Sequence, residues 1–197
     1  MSSPEPPSRR RVGEHFHGDL RRALVDAAVA TLDEAGADHL SLREVARRIG
    51  VSHAAPAHHF GDKTGLLTEV ATQGFTLFTA ELDRALLAAG DDPVDALLAL
   101  ARGYARFAER HPGTFEVMFR PGLTRTDEPA YAAAAASAYE VLRRNVERCQ
   151  RAGWHPDADN RALTTAAWGL AHGLTVLRTP AQSLDDIAAI AATLVVG

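Results

Sequence analysis

Apolar residues recur at steps of three and four through most of this chain, and nowhere do they alternate with polar ones over a strand's length. That is the period of helices with one buried face. Gly, Pro, Asp and Ser collect at the breaks between periodic stretches. The pattern predicts helices at about 20–35, 42–49, 52–60, 63–89, 93–110, 113–119, 129–151, 159–177 and 183–196. Leu20, Leu24, Ala27, Ala28 and Leu32 make the stripe of the first, behind Asp19 as its N-cap. Leu66, Leu67, Val70, Phe75 and Phe78 are expected to be buried on the long helix after Lys63. The fold class read from this pattern is all-α.

One stretch is more specific than the rest. From Ser41 to Lys63 the chain reads SLREVARRIGVSHAAPAHHFGDK. Ser41 precedes Glu44 by three residues, the spacing of a reciprocal helix-start capping box. Leu42, Val45, Ala46 and Ile49 give one apolar face, and Gly50 suits a left-handed stop. Ser52 then caps a second short helix running to about Phe60. Two short helices joined by a tight Gly-containing turn form a helix-turn-helix, whose second helix reads the DNA major groove. The second helix carries His53, His58 and His59 and no Asp or Glu. Arg43, Arg47 and Arg48 lie on the outer face of the first. A reading helix free of carboxylates suits a polyanionic partner. Arg21 and Arg22 are either further phosphate contacts or solvated.

Charge changes this picture only in part. The 197 residues carry a formal net charge of −4, so DNA binding has to rest on a local patch. A single cysteine, Cys149, forms no internal disulfide and suits a reducing cytoplasm. It reads as a buried structural thiol, with a redox sensor activated by Arg148 and Arg151 as the other reading. No apolar run approaches the length of a membrane span, and the N-terminus has no apolar signal core. Residues 1 to about 17 are rich in Pro, Ser and Arg and are expected to be a disordered tail. Within it Arg9-Arg10-Arg11 reads as a minor-groove arm or as a solvated run. Glu14 and His17 have the spacing of a di-iron ligand pair, but the motif occurs once, so neither a metal site nor a cofactor is expected.

The stretch from Asp19 to about Leu67 resembles the DNA-binding domain of TetR-type transcriptional regulators. The residues that carry the likeness are Ser41-Leu42-Arg43-Glu44-Val45-Ala46, Gly50-Val51-Ser52, His58-His59-Phe60, Lys63 and Leu66-Leu67. Two positions depart from that pattern. Ala57 stands where such proteins often have an aromatic residue, and Pro56 occupies the first turn of the reading helix. Trp168-Gly169-Leu170-Ala171-His172-Gly173-Leu174 and His111-Pro112-Gly113-Thr114-Phe115 resemble one TetR subgroup with a Trp and a His-Gly in its C-terminal domain. The resemblance implies a three-helix helix-turn-helix domain at 18–66 and a helical ligand-binding and dimerisation domain at 67–197. It implies a cytoplasmic homodimer on a double-stranded operator, probing it with Ser41, Arg43, Ser52, His53, Ala54, Ala57, His58, His59 and Lys63. Ser41 and Lys63 are expected on phosphates, and the three histidines on phosphates or base edges.

Two further sets of residues follow. Ala166, Gly169, Leu170, Gly173, Leu174 and Leu177 sit on one side of the penultimate helix, where small residues let another helix approach. Glycine in a helix interior costs about 1 kcal/mol relative to alanine, so two of them suggest a packing reason. These residues are the expected dimer interface. Tyr104, Phe107, Phe115, Met118, Phe119, Tyr139, Trp168 and His172 would surround a pocket for a small-molecule effector. An enzyme is the competing class, yet no Ser elbow, Cys-x-x-Cys, His-Glu-x-x-His or phosphate loop is present. The reading is a ligand-responsive regulator, most simply a repressor. Its alternative is a helical dimer that binds small molecules, or an enzyme, without DNA binding.

Overall fold

The computed structural model describes residues 9–177 together with 183, 186 and 190, and for 9–18 the backbone alone. Helix α1 (Arg9–Ala35) packs on α2 (Leu42–Arg48) and α3 (Ala55–Phe60), and α1 and α3 also rest on α4 (Lys63–Ala89). The chain continues through α5 (Pro93–Arg110), α6 (Pro112–Phe119), α7 (Pro129–Arg151) and α8 (Asn160–Val176). Helix α4 packs against α5, α6 and α7, and α8 lies across α5 and α7. No strand occurs among the described residues. The helix expected at 183–196 lies outside what the structure describes, apart from three isolated positions.

Local chemistry explains most boundaries. The Asp62 carboxylate accepts from the Gly65 N–H at 2.8 Å, and Asp92 accepts from Val94 and Asp95. Asp159 caps α8 by accepting from Ala162. Pro93, Pro112 and Pro129 stand in first turns, where no N–H is needed. The expected start of α1 is wrong. The helix passes through Asp19 and begins at Arg9, where a disordered tail was expected. No proline lies between Pro7 and Pro56, and isolated glycines tax a helix by only about 1 kcal/mol each.

A continuous core runs from Leu24, Leu32, Leu40 and Val45 through Leu66 and Val70 to Phe78, Leu82, Tyr104 and Phe107. Helix α6 crosses α4 at Gly74. A Cβ there would stand 2.6 Å from the Thr114 methyl and 2.7 Å from the Met118 sulfur. Nearly buried Glu81 is balanced by Arg84, at 2.5 Å, with Arg106 and Arg110 each at 3.8 Å. Among the described residues every buried side-chain nitrogen or oxygen has a hydrogen-bond partner.

Cys149 is fully buried beside Leu97 and Val146, with its thiol donating to the Pro93 carbonyl at 3.1 Å. Burial pushes its pKa up to about 11, and the opposing pull of Arg148 is smaller. The thiolate is the reactive form. At pH 8 the native protein is therefore expected to react with a disulfide reagent roughly 100-fold more slowly than free cysteine, and at the free rate once unfolded in urea. A fast native reaction would contradict this burial.

Candidate nucleic-acid interface and internal cavity

The corner between α2 and α3 is built by backbone bonds. Gly50 takes φ +70°, and the Val51 N–H bonds the Ala46 carbonyl at 3.1 Å. Ser41 accepts from the Glu44 N–H at 3.2 Å, which is half of the expected box. The other half is absent, because the Glu44 carboxylate takes Arg47 instead, at 2.7 and 2.9 Å. Helix α3 begins at Ala55, so the helix expected from Ser52 starts late. Ser52 accepts from the Ala54 N–H at 3.3 Å and tightens the turn before the helix. Pro56 and Phe60 are buried and anchor α3. Ser52, His53, Ala54, Ala57 and His58 are exposed, and His59 is half-buried. The outer surface of α3 and of the turn before it therefore offers two exposed methyl groups and imidazoles, with no carboxylate.

Most cations near this surface are already engaged. Arg21 donates to the His59 carbonyl at 3.0 Å, pairs with Glu69 at 2.6 Å and lies 4.6 Å over the Phe60 ring. It therefore caps the end of α3 from α1. Arg47 is held by Glu44, and Arg48 by Glu34 and by Thr31 at 3.2 Å. The Lys63 ammonium donates to the Ala37 carbonyl at 2.8 Å, so its first partner is internal. Arg43 is exposed and has no partner among the described residues.

Helix α6 and the loop after it reach back to this unit. The Glu116 carboxylate accepts from the Ala37 N–H at 3.3 Å, and Arg120 bridges Glu116 and Asp38, both at 2.8 Å. Arg120 holds the Asp38 carboxyl below its ordinary range. The Gly113 N–H donates to Asp33 at 2.9 Å. Arg125 pairs with Asp62 at 2.7 Å, and its N–H donates to Thr68 at 2.9 Å.

The opposite side of α6 meets an aromatic cluster. The Tyr104 hydroxyl lies 2.7 Å from His172 Nδ1. His172 stacks on Phe115 at 5.8 Å and meets Phe119 at 5.1 Å. Trp168 lies between Tyr139, stacked at 5.6 Å, and Phe119. Burial pushes the Tyr104 hydroxyl far above its ordinary range, with a smaller opposing pull from its hydrogen bond to Trp168. Burial also lowers the pKa of His172, which favours the neutral ring. Beside this cluster, between α4, α5, α7 and α8, lies a cavity with about 590 Å³ of atom-free space, part of it continuous with solvent.

Of the eight expected ligand residues, Tyr104 and Trp168 line the cavity. Phe115, Phe119, Tyr139 and His172 join them in the cluster but stand behind the wall. Phe107 and Met118 are core residues, Phe107 against Phe78 and Met118 against Gly74. Sequence reasoning missed Phe78, Leu82, Leu97, Leu100 and Leu142, whose helical spacing looks the same in solid core. On α8, Ala166, Gly169 and Leu177 are exposed, while Gly173 and Leu174 are half-buried. Leu170, also half-buried, lines the cavity. Among the described residues no heavy atom outside the helix's own neighbouring backbone stands within 4 Å of a Cβ built at Gly169 or Gly173. Among the described residues no helix is long and apolar enough to cross a membrane, and no His, Cys, Asp and Glu group could hold a metal ion.

Comparison with known proteins gives consistent matches. Residues 24–70 match the family described as bacterial regulatory proteins, tetR family. Residues 97–196 match the family described as Tetracyclin repressor-like, C-terminal domain. The HTH-type transcriptional regulator BetI of Stenotrophomonas maltophilia is 36% identical over 83 residues, 42% of each chain. The alignment thus spans about two fifths of that curated relative. A protein of unknown function from Rhodococcus sp. RHA1 superposes with TM-score 0.76 at 32% identity, over 89% of this chain and 92% of that one. The regulator PfmR from Thermus thermophilus gives 0.70 at 22%, over 88% and 97%. AibR, solved with isovaleryl coenzyme A and operator DNA, gives 0.68 at 18%, over 89% and 98%. The last two likenesses are of fold.

Proposed function

The chain belongs to the TetR family of bacterial regulatory proteins, and on that premise we propose that it is a cytoplasmic, dimeric, ligand-responsive repressor of transcription. The observation that carries the reading is the surface of α3 and the turn leading into it, with Pro56 and Phe60 anchored inside and His53, Ala54, Ala57 and His58 exposed without a carboxylate. The DNA-binding unit is residues 18–66, and residues 67–197 hold the effector and the two-fold contact. Two copies of α3 would enter successive major grooves about 34–36 Å apart on a palindrome. Ser41, Ser52, Arg43 and Lys63 approach phosphates, and the histidines approach phosphates or base edges. Ala54 and Ala57 suit thymine methyls. AibR was solved with a ligand and an operator together, and this reading gives the present chain the same two kinds of partner.

Ligand response requires unequal affinity for two states. Helix α4 joins the two units, and α6 supplies a second link. Its Phe115 and Phe119 touch the cluster beside the cavity, while Glu116 and Arg120 grip Ala37 and Asp38. A shift of α6 caused by a bound effector would be felt at the base of the reading unit.

The test is a mobility shift on DNA from the gene's own upstream region at about 50 and 200 mM salt. A dimer contacting several phosphates loses on the order of 10³-fold in affinity across that range. His58→Ala is expected to weaken binding roughly tenfold, the loss of one groove contact worth about 1–3 kcal/mol. Arg43→Ala is expected to weaken it on all sequences and to reduce the salt slope by about 1 for each phosphate left without its arginine. Absence of any salt-dependent shift would overturn the regulator reading.

A further inference from the structure

The cavity between α4, α5, α7 and α8 has a lining that speaks to the chemistry of its occupant. Phe78, Leu82, Leu97, Leu100 and Leu142 supply much of its wall, closed on the α8 side by Ala167 and Trp168. Among the described residues that line it there is not one Lys, Arg, Asp, Glu or His. An ion brought into such a space loses its hydration and finds no countercharge, which is far more costly than burying an uncharged group. The cluster of Glu81 with three arginines is satisfied within itself and contributes nothing to this lining.

Among the described lining residues, Tyr104 and Trp168 are the ones whose side chains carry a polar atom. The Tyr104 hydroxyl is already paired with His172 Nδ1 at 2.7 Å. The Tyr104 oxygen keeps room to accept a further hydrogen bond, since a phenolic hydroxyl both donates and accepts. The site can therefore satisfy one uncharged hydrogen-bonding group, such as a hydroxyl or an amide, next to a hydrocarbon body. The aromatic rings do not form an open cage for a cation. Tyr139 covers Trp168 at 5.6 Å, and Phe78 packs edge-on to Tyr104 at 5.1 Å.

The geometry points to an uncharged ligand with a hydrocarbon body and a single hydrogen-bonding head that meets Tyr104. This inference rests on the reading of the cavity as the effector site. The cavity's walls are made mostly of hydrocarbon, so affinity should rise with chain length, by about fourfold for each added methylene until the space is filled.

Calorimetric titration of the full chain at pH 7.5 with 1-octanol, octanoate and octyltrimethylammonium tests the inference, because the three probes share a chain and differ in the charge of the head. Octanol is expected to bind at least about tenfold more tightly than either ion, and hexanol about sixteenfold more weakly than octanol. Ala167→Phe, which fills the cavity from α8, is expected to abolish octanol binding. Tyr104→Phe, which keeps the ring and removes the hydroxyl, is expected to bring octanol binding down to that of octane. Each variant is compared with the wild type by thermal melting, and the wild-type titration alone decides the charge question. Equal or tighter binding of either ion, or no binding by octanol, overturns the inference. So does octanol binding that survives in a folded Ala167→Phe. A mobility shift on the same preparation keeps the two ideas apart. Retarded DNA with no octanol binding removes the ligand class and leaves the regulator. Octanol binding with no retarded DNA does the reverse.

Discussion

Gly65→Ala is expected to lower the melting temperature by roughly 6–12 °C and to abolish specific DNA binding. Gly65 lies in the first turn of α4, under the end of the reading helix. A Cβ built there stands 2.0 Å from the Phe60 carbonyl oxygen and 3.1 Å from its carbon. Both are backbone atoms, so no rotamer change relieves the overlap. Overpacking of this kind costs about 3 kcal/mol, and in a chain of this length each kcal/mol moves the melting point by about 2–4 °C. Relief requires α3 to move away from α4. That breaks the seat in which Phe60 is buried and in which Arg21 holds the His59 carbonyl. Gly169→Ala is the control. Its Cβ meets nothing within 4 Å among the described residues, and alanine is the better helix former by about 1 kcal/mol. Calorimetry of the pair checks the argument, and a Gly65→Ala melting point within about 2 °C of the wild type would refute it.

The second large effect is expected at the proposed two-fold contact. Gly173→Leu should raise the dimer dissociation constant at least about 100-fold while leaving the helical content of each chain unchanged. Among the described residues of one chain the new side chain meets no obstacle, since none of their heavy atoms stands within 4 Å of the glycine's missing Cβ. Between two chains the isobutyl group would hold apart backbones that small residues allow to meet. Loss of the dimer would remove the paired half-site contact, so operator affinity should fall with it. Light scattering across a dilution series reads the first effect, and a mobility shift the second. An unaltered dimer would place the two-fold contact elsewhere, since Val176 and Leu177, 58% and 80% exposed at the end of α8, belong to the same face.

Local chemistry made much of the fold legible. Asp92-Pro93, Glu128-Pro129 and Asp159 mark helix starts in the sequence, and α5, α7 and α8 begin there. Gly50 was readable as a left-handed stop because a single residue decides it. The start of α1 was not readable, because Asp19 looks like a cap and only the absence of proline argues otherwise. The start of α3 was missed because Ser52 closes a turn with Ala54 where it was expected to cap a helix. Glu44 has two partners within reach, and proximity alone does not say that Arg47 wins. Non-local pairs were illegible for a stronger reason. Arg120 and Asp38 are 82 positions apart, and Arg125 and Asp62 are 63 apart, with no periodicity that relates them. The cavity was half legible. Tyr104 and Trp168 announce themselves as aromatic residues with a polar atom, but Leu97 or Leu142 beside a void has the same pattern as one in solid core.

The crossing at Gly74 has a mechanical consequence. Residue 74 is about 16 Å along α4 from Lys63, at 1.5 Å per residue. With Thr114 and Met118 pressed into the gap left by the missing side chain, the crossing would serve the proposed ligand response as a fulcrum, with the long helix as its seesaw. Each degree of rocking carries the Lys63 end through roughly 0.3 Å, and its far end swings the opposite way. In the proposed dimer the displacements at the two reading heads would add, so a tilt of only a few degrees would shift their spacing against the pitch of the double helix.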